Sequence, residues 1–165
     1  MATTILIVDD SAQVRTLLRG LLVQQADLHV VGEAEDGAEA MRLVQALRPD
    51  IVLLDLAMPQ VNGLEALRWI KAARPATTVI IVTVHAEDAY RQAAADGGAD
   101  ALLLKKTLVT VLLSTIQRLP RSRAGACHGA PAAGIRPPTL QDFSPFPSRI
   151  RLMVCHPSMP YIVSF

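Results

Sequence analysis

The chain has little cysteine. Cys127 and Cys155 are the only two in 165 residues, which excludes a disulfide framework, and they have no companions for a zinc site. No apolar run reaches the length of a membrane span. The opening "MATTILIVDD" lacks a basic region ahead of its apolar stretch, and acidic residues follow too closely for a signal peptide, so a cytoplasmic location is expected. A strong charge of either sign is also missing. The net charge is +1, which does not indicate nucleic acid or a membrane surface as partner. His85 has no second His or Cys beside it and reads as a loop residue, not a metal ligand.

What is present suits one globular domain with residues to spare: 51% hydrophobic and 19% charged. The small net charge conceals a division. Residues 1–120 hold 11 Lys/Arg and 14 Asp/Glu, net −3, whereas residues 121–165 hold five Arg and one Asp, net +4. The second part has no Lys or Glu but contains seven of the eleven prolines and both cysteines. The expected organisation is a folded domain over 1–120 and a Pro/Ala/Arg-rich, disordered tail over 121–165.

Within the first part, short aliphatic runs alternate with amphipathic stretches. Strands are predicted at 4–8, 28–34, 51–55, 78–84 and 101–104. Ser11 is placed to cap a first helix with apolar positions Val14, Leu17, Leu18, Leu21 and Leu22. Asp36 and Glu39 form a capping-box pattern for a second helix running to about Leu47, before Pro49. Further helices are predicted at about 64–73, 87–96 and 107–119, the fourth stopping at Gly97-Gly98 and the last capped by Thr107. Five β-α units with continuously apolar strands predict an α/β, doubly wound parallel sheet covered on both faces.

In such a sheet, ligands gather beyond the C-terminal strand ends. The polar residues there are Asp9 and Asp10 after the first strand, Asp55 ending the third, Thr83 ending the fourth and Lys105 ending the fifth. The second strand, ending at Gly32-Glu33, offers nothing obvious. Asp55 ends an otherwise aliphatic run, "IVLLD", and is expected at the rim, not truly buried. Three neighbouring carboxylates require a proton or a cation, and hard oxygen ligands with open water positions suit Mg²⁺. A carboxylate can also act as nucleophile in phosphoryl transfer, giving an aspartyl phosphate. Mg²⁺, the Lys105 ammonium and the Thr83 hydroxyl would then stabilise the phosphoryl charge.

"ILIVDDS", "IVLLDLAMPQVNGLEAL", "VIIVTVH" and "LLLKK" resemble, in order and spacing, the receiver domain of two-component response regulators over about residues 3–119. The resemblance implies a flavodoxin-like sheet of order 2-1-3-4-5 and a phosphoacceptor role for Asp55. It implies that Asp10, Asp55 and the Ala57 main-chain carbonyl ligate Mg²⁺, with Asp9 acting through a metal-bound water. Thr83 and Lys105 would bind the phosphoryl oxygens, and Pro59 and Gly63 would shape the loop after the nucleophile. The phosphoryl donor would be a sensor histidine kinase or a phosphotransfer protein. The protein would be a signalling switch that catalyses its own phosphorylation and dephosphorylation, not a metabolic enzyme. "TVHAEDAY" is similar to the branch with a LuxR-type helix-turn-helix, which often lacks proline where Lys106 stands.

Leu102 stands where receivers usually carry an aromatic, and Ala101 where they usually carry glycine, so an altered phosphorylation readout is expected. The last helix carries Arg118 as its only charge. Val109, Leu112, Leu113 and Ile116 are its expected core stripe, with Leu108, Val111 and Leu119 on the flanks, leaving an apolar surface that suits a homodimer. The tail has no helix-turn-helix pattern; DNA binding is not supported by the residues present. A DNA-binding regulator whose output part was truncated or frameshifted is the alternative reading. A haloacid-type phosphatase is discounted because Ala57 stands where that chemistry needs a second Asp.

Overall fold

The computed structural model describes residues 2–58 and 62–119. The expected tail over 121–165 and the expected role of Pro59 lie outside the described residues. The elements alternate without exception: β1 (Thr3–Val8), α1 (Ala12–Val23), β2 (Leu28–Ala34), α2 (Gly37–Leu47), β3 (Ile51–Asp55), α3 (Gly63–Ala73), β4 (Thr78–Thr83), α4 (Asp88–Asp96), β5 (Ala101–Leu104), a 3₁₀ turn (Lys105–Thr107) and α5 (Leu108–Arg118). All strand pairs are parallel and the order is β2-β1-β3-β4-β5, as expected of the doubly wound, flavodoxin-like sheet.

Period-two alternation divides the aliphatic strands between two cores. Leu6, Val8, Val52, Leu54, Val79 and Ile81 pack against α2, α3 and α4. Ile5, Ile7, Leu53, Ile80 and Val82 pack against α1 and α5. Leu102, in register with Ile81, is partly buried against the first of these cores. Between β1 and β2 the register slips: Ile5 pairs with Val30 but Leu6 with Gly32, leaving Val31 as an extra residue.

Local signals set most helix ends. Asp36 Oδ1 accepts from the Glu39 N–H at 2.7 Å; the Glu39 carboxylate reaches back to the Glu35 N–H rather than that of Asp36. Asn62 caps α3 by accepting from the Leu64 N–H. Ser11 and Thr107 occupy N-cap positions, but neither side chain caps its helix. The Ser11 hydroxyl instead donates to Gln13 Oε1 at 3.4 Å, while its N–H is held by Asp9 Oδ1 at 2.9 Å, and the Thr107 hydroxyl donates to the Leu104 carbonyl. The α5 stripe keeps the expected Leu112 and Ile116, with Leu113 packed against the core, but takes Leu108 in place of Val109. Leu108, Leu112 and Ile116 are buried, whereas Val109 is 56% exposed. A 3₁₀ turn over Lys105–Thr107 leads directly into α5.

Candidate functional site

Asp9 leaves β1 at its C-terminal end and Asp55 is the last residue of β3, the neighbouring strand. Asp10 follows Asp9 into the loop. One carboxylate oxygen from each of Asp9, Asp10 and Asp55 falls within 4.8 Å of the others. Lys105 enters from beyond β5 and spans two of them: its Nζ donates to Asp55 Oδ2 at 2.9 Å and lies 2.7 Å from Asp9 Oδ2. The other Asp55 oxygen, Oδ1, accepts from the Ala57 N–H at 3.2 Å. Thr83 is one residue beyond Val82, the register partner of Asp55, and its hydroxyl oxygen accepts from the His85 N–H at 3.1 Å.

The expectation that Asp55 escapes burial at the rim is overturned. Asp55 and Asp9 are each 1% exposed and Thr83 is fully buried, whereas Asp10 faces solvent. Gly63 shows how tightly the chain packs here: a Cβ on it would stand 2.1 Å from the Asp55 carbonyl oxygen and 2.6 Å from the Leu56 Cα. Only a residue without a side chain lets the start of α3 lie against the end of β3.

Burial makes the site electrostatically demanding. It is the main cause that raises the Asp9 pKa above 3.8, with the Asp55 charge adding to it; Lys105 and the Ser11 N–H act in the opposite direction. Burial alone would lower the Lys105 pKa, but its close contacts with Asp55 and Asp9, reinforced by both charges, raise it above 10.5. One ammonium for two buried carboxylates leaves a deficit. Asp9 Oδ2, although close to Nζ, has no directed hydrogen bond. A buried, under-satisfied carboxylate oxygen beside two further carboxylates fits a hard divalent cation. Asp9, Asp10 and Asp55 are the side chains that would hold it.

The sequence reading missed Arg15 and Glu33. Arg15 is on the buried face of α1 with Leu18 and Leu22, and its Nη1 donates to the Asp9 main-chain carbonyl at 2.7 Å. The available signal was a charge three and seven residues before two core leucines.

Residues 5–117 match the response regulator receiver domain family. The uncharacterized transcriptional regulatory protein YhcZ of Bacillus subtilis is 38% identical over 113 residues, covering 68% of this chain and 53% of that protein. The response regulator protein VraR of Staphylococcus aureus is 34% identical over 124 residues, covering 75% and 59%. The chain therefore spans about half the length of the curated relatives it matches. Among solved structures, a LuxR-family two-component response regulator from Aurantimonas sp. SI85-9A1 superposes with TM-score 0.68 at 34% identity, covering 71% of this chain and 84% of that one. The response regulator domain of Thermotoga maritima CheB gives 0.66 at 33%, covering 71% and 95%. The chain belongs to the response regulator receiver domain family, and its relatives include LuxR-type regulators.

Proposed function

We propose that this receiver accepts a phosphoryl group on Asp55 from a histidine kinase or phosphotransfer protein, in a Mg²⁺-dependent reaction in the cytoplasm. The observation that carries the reading is the convergence of three carboxylates, two of them in contact with one lysine. Receiver domains are signalling proteins rather than classical enzymes. Here the chain supplies the acceptor and the charge stabilisation, and so promotes its own phosphorylation and later hydrolysis.

An Asp55 carboxylate oxygen attacks phosphorus; the new O–P bond forms as the bond to the donor's leaving group breaks. When bound by Asp9, Asp10, Asp55 and the Ala57 carbonyl, Mg²⁺ would supply positive charge to the phosphoryl oxygens. The Ala57 N–H orients Asp55 through Oδ1. Lys105 holds the other oxygen and is close enough to follow the transferred charge. The Thr83 oxygen already accepts from His85, so its own O–H proton remains available for a phosphoryl oxygen. A homodimer through α5 would have Val109 as its exposed apolar anchor.

The test is phosphorylation by a small phosphodonor with Mg²⁺. Wild type should acquire an acid-stable, base-labile label, and Asp55→Asn none. A label that survives in Asp55→Asn sinks the assignment. The Bacillus relative is named a transcriptional regulatory protein; that role is the second reading. A gel shift with and without phosphorylation separates the two.

A further inference from the structure

Arg15 is a buried cation that the proposed chemistry does not use. Its side chain is 10% exposed, and a guanidinium taken out of water needs partners on every edge. One edge serves the acid loop: Nη1 donates to the Asp9 carbonyl at 2.7 Å and approaches the Asp10 carbonyl at 3.4 Å. The other edge meets β2 and the loop after it, with Nη2 2.6 Å from Glu35 Oε1 and Nε 3.4 Å from Glu33 Oε2. Glu33 is steadied in turn by Arg19 Nη2, 2.5 Å from its Oε1.

The β2 bulge builds this arrangement. Leu28 and Val30 face the α1/α5 core, so strict alternation would turn Ala34 the same way. The extra residue Val31 reverses the parity. Ala34 then joins the opposite core, and Glu33 meets Arg15. Two arginines and two glutamates cancel formally, so the cluster adds no net positive charge beside the carboxylates.

We propose that Arg15 is a positioning residue of the cation site. By gripping the main-chain carbonyls of Asp9 and Asp10, it fixes the peptide units from which both carboxylates hang. This rests on the Mg²⁺-dependent reading above.

Calorimetric titration of the full chain with Mg²⁺ tests it, on wild type, Arg15→Lys, Arg15→Met and Glu33→Gln, with each melting temperature measured alongside. Lysine keeps the charge but not the fork that joins the carbonyls to the glutamates. Arg15→Lys should weaken Mg²⁺ binding roughly 10-fold or more, the range usual for groups that orient metal ligands. Arg15→Met should do the same, and Glu33→Gln should act in the same direction by less. The Mg²⁺ concentration that half-saturates phosphorylation should rise in step, while the rate at saturating Mg²⁺ stays near wild type. Should Arg15→Met not fold, Arg15→Lys and Glu33→Gln carry the test. Wild-type Mg²⁺ affinity in Arg15→Lys, with only a lower melting temperature, overturns the proposal alone. Tighter binding in Arg15→Met also overturns it, because Arg15 would then act by repelling the cation. Failure of wild type to bind Mg²⁺ overturns both the proposal and the reading beneath it.

Discussion

The two ends of the sheet use the same residue types differently. At the N-terminal ends of the strands, Asp50 Oδ2 accepts from the Thr4 N–H at 2.8 Å and the Thr4 hydroxyl at 2.7 Å, tying β3 to β1. Asp100 Oδ2 accepts from the Val79 N–H at 2.7 Å and from Lys71 Nζ at 2.5 Å, and Lys71 also donates to the Thr77 carbonyl. These carboxylates stitch backbone to backbone. At the C-terminal ends, Asp9 and Asp55 are more deeply buried yet share a single lysine. An acid–lysine pair at one end thus closes the fold, while at the other it leaves a deficit that a cation or a phosphoryl group can use. Carboxylates left partly open to water and bonded to main-chain donors mark the first kind of site, and buried carboxylates with too few donors mark the second.

Substitutions at each end should separate the two roles. Asp100→Ala should have the larger effect on stability, lowering the free energy of unfolding in urea by about 2 kcal/mol, because a main-chain N–H and an ammonium lose a charged acceptor. Mg²⁺ affinity should be unchanged; a weakened affinity would erase the distinction. Asp9→Asn should act oppositely and more weakly. In the presence of EDTA it should raise the melting temperature, since it removes a carboxylate that burial disfavours. Wild type should regain the difference when Mg²⁺ is added, and the variant should not.

The smallest effect is on pH dependence. The raised Asp9 pKa means that the folded state keeps this proton longer than the unfolded chain. Its contribution to stability therefore falls as pH rises past 3.8 and levels off above the folded pKa. The melting-temperature advantage of Asp9→Asn in EDTA should accordingly grow above about pH 4 and vanish in stronger acid. Lys105 adds stability that is present below 10.5 and lost as pH climbs through its raised folded pKa. Replacing it by Met should remove that alkaline limb of the stability profile. An identical limb in the variant would mean that another group produces it.

The order of elements was legible because most strands are aliphatic runs and several helices are bounded by a local signal such as Asp36, Pro49 or the Gly97-Gly98 pair. The carboxylates, Thr83 and Lys105 were legible because parallel topology obliges all strands to end on one side. Other features depended on packing. On α5, helical spacing admits Leu108 and Val109 equally beside Leu112 and Ile116, and packing on the sheet buries Leu108 and not Val109. The capping roles expected of Ser11 and Thr107 were lost to local competitors, the Gln13 side chain for one hydroxyl and the Leu104 carbonyl for the other.

By itself, then, the sequence determined which residues reach the functional end of the sheet, since strand length and direction are local properties. Only the tertiary structure decided how far they are withdrawn from water and which partners they have. Asp55 is 1% exposed once the chain has packed, and Gly63 lets the start of α3 lie against the end of β3. Glu33 faces Arg15 because one inserted residue reverses the alternation of β2. Burial and parity arise from surfaces meeting in three dimensions, and the competition of Asp9 and Asp55 for one lysine exists only after they have met.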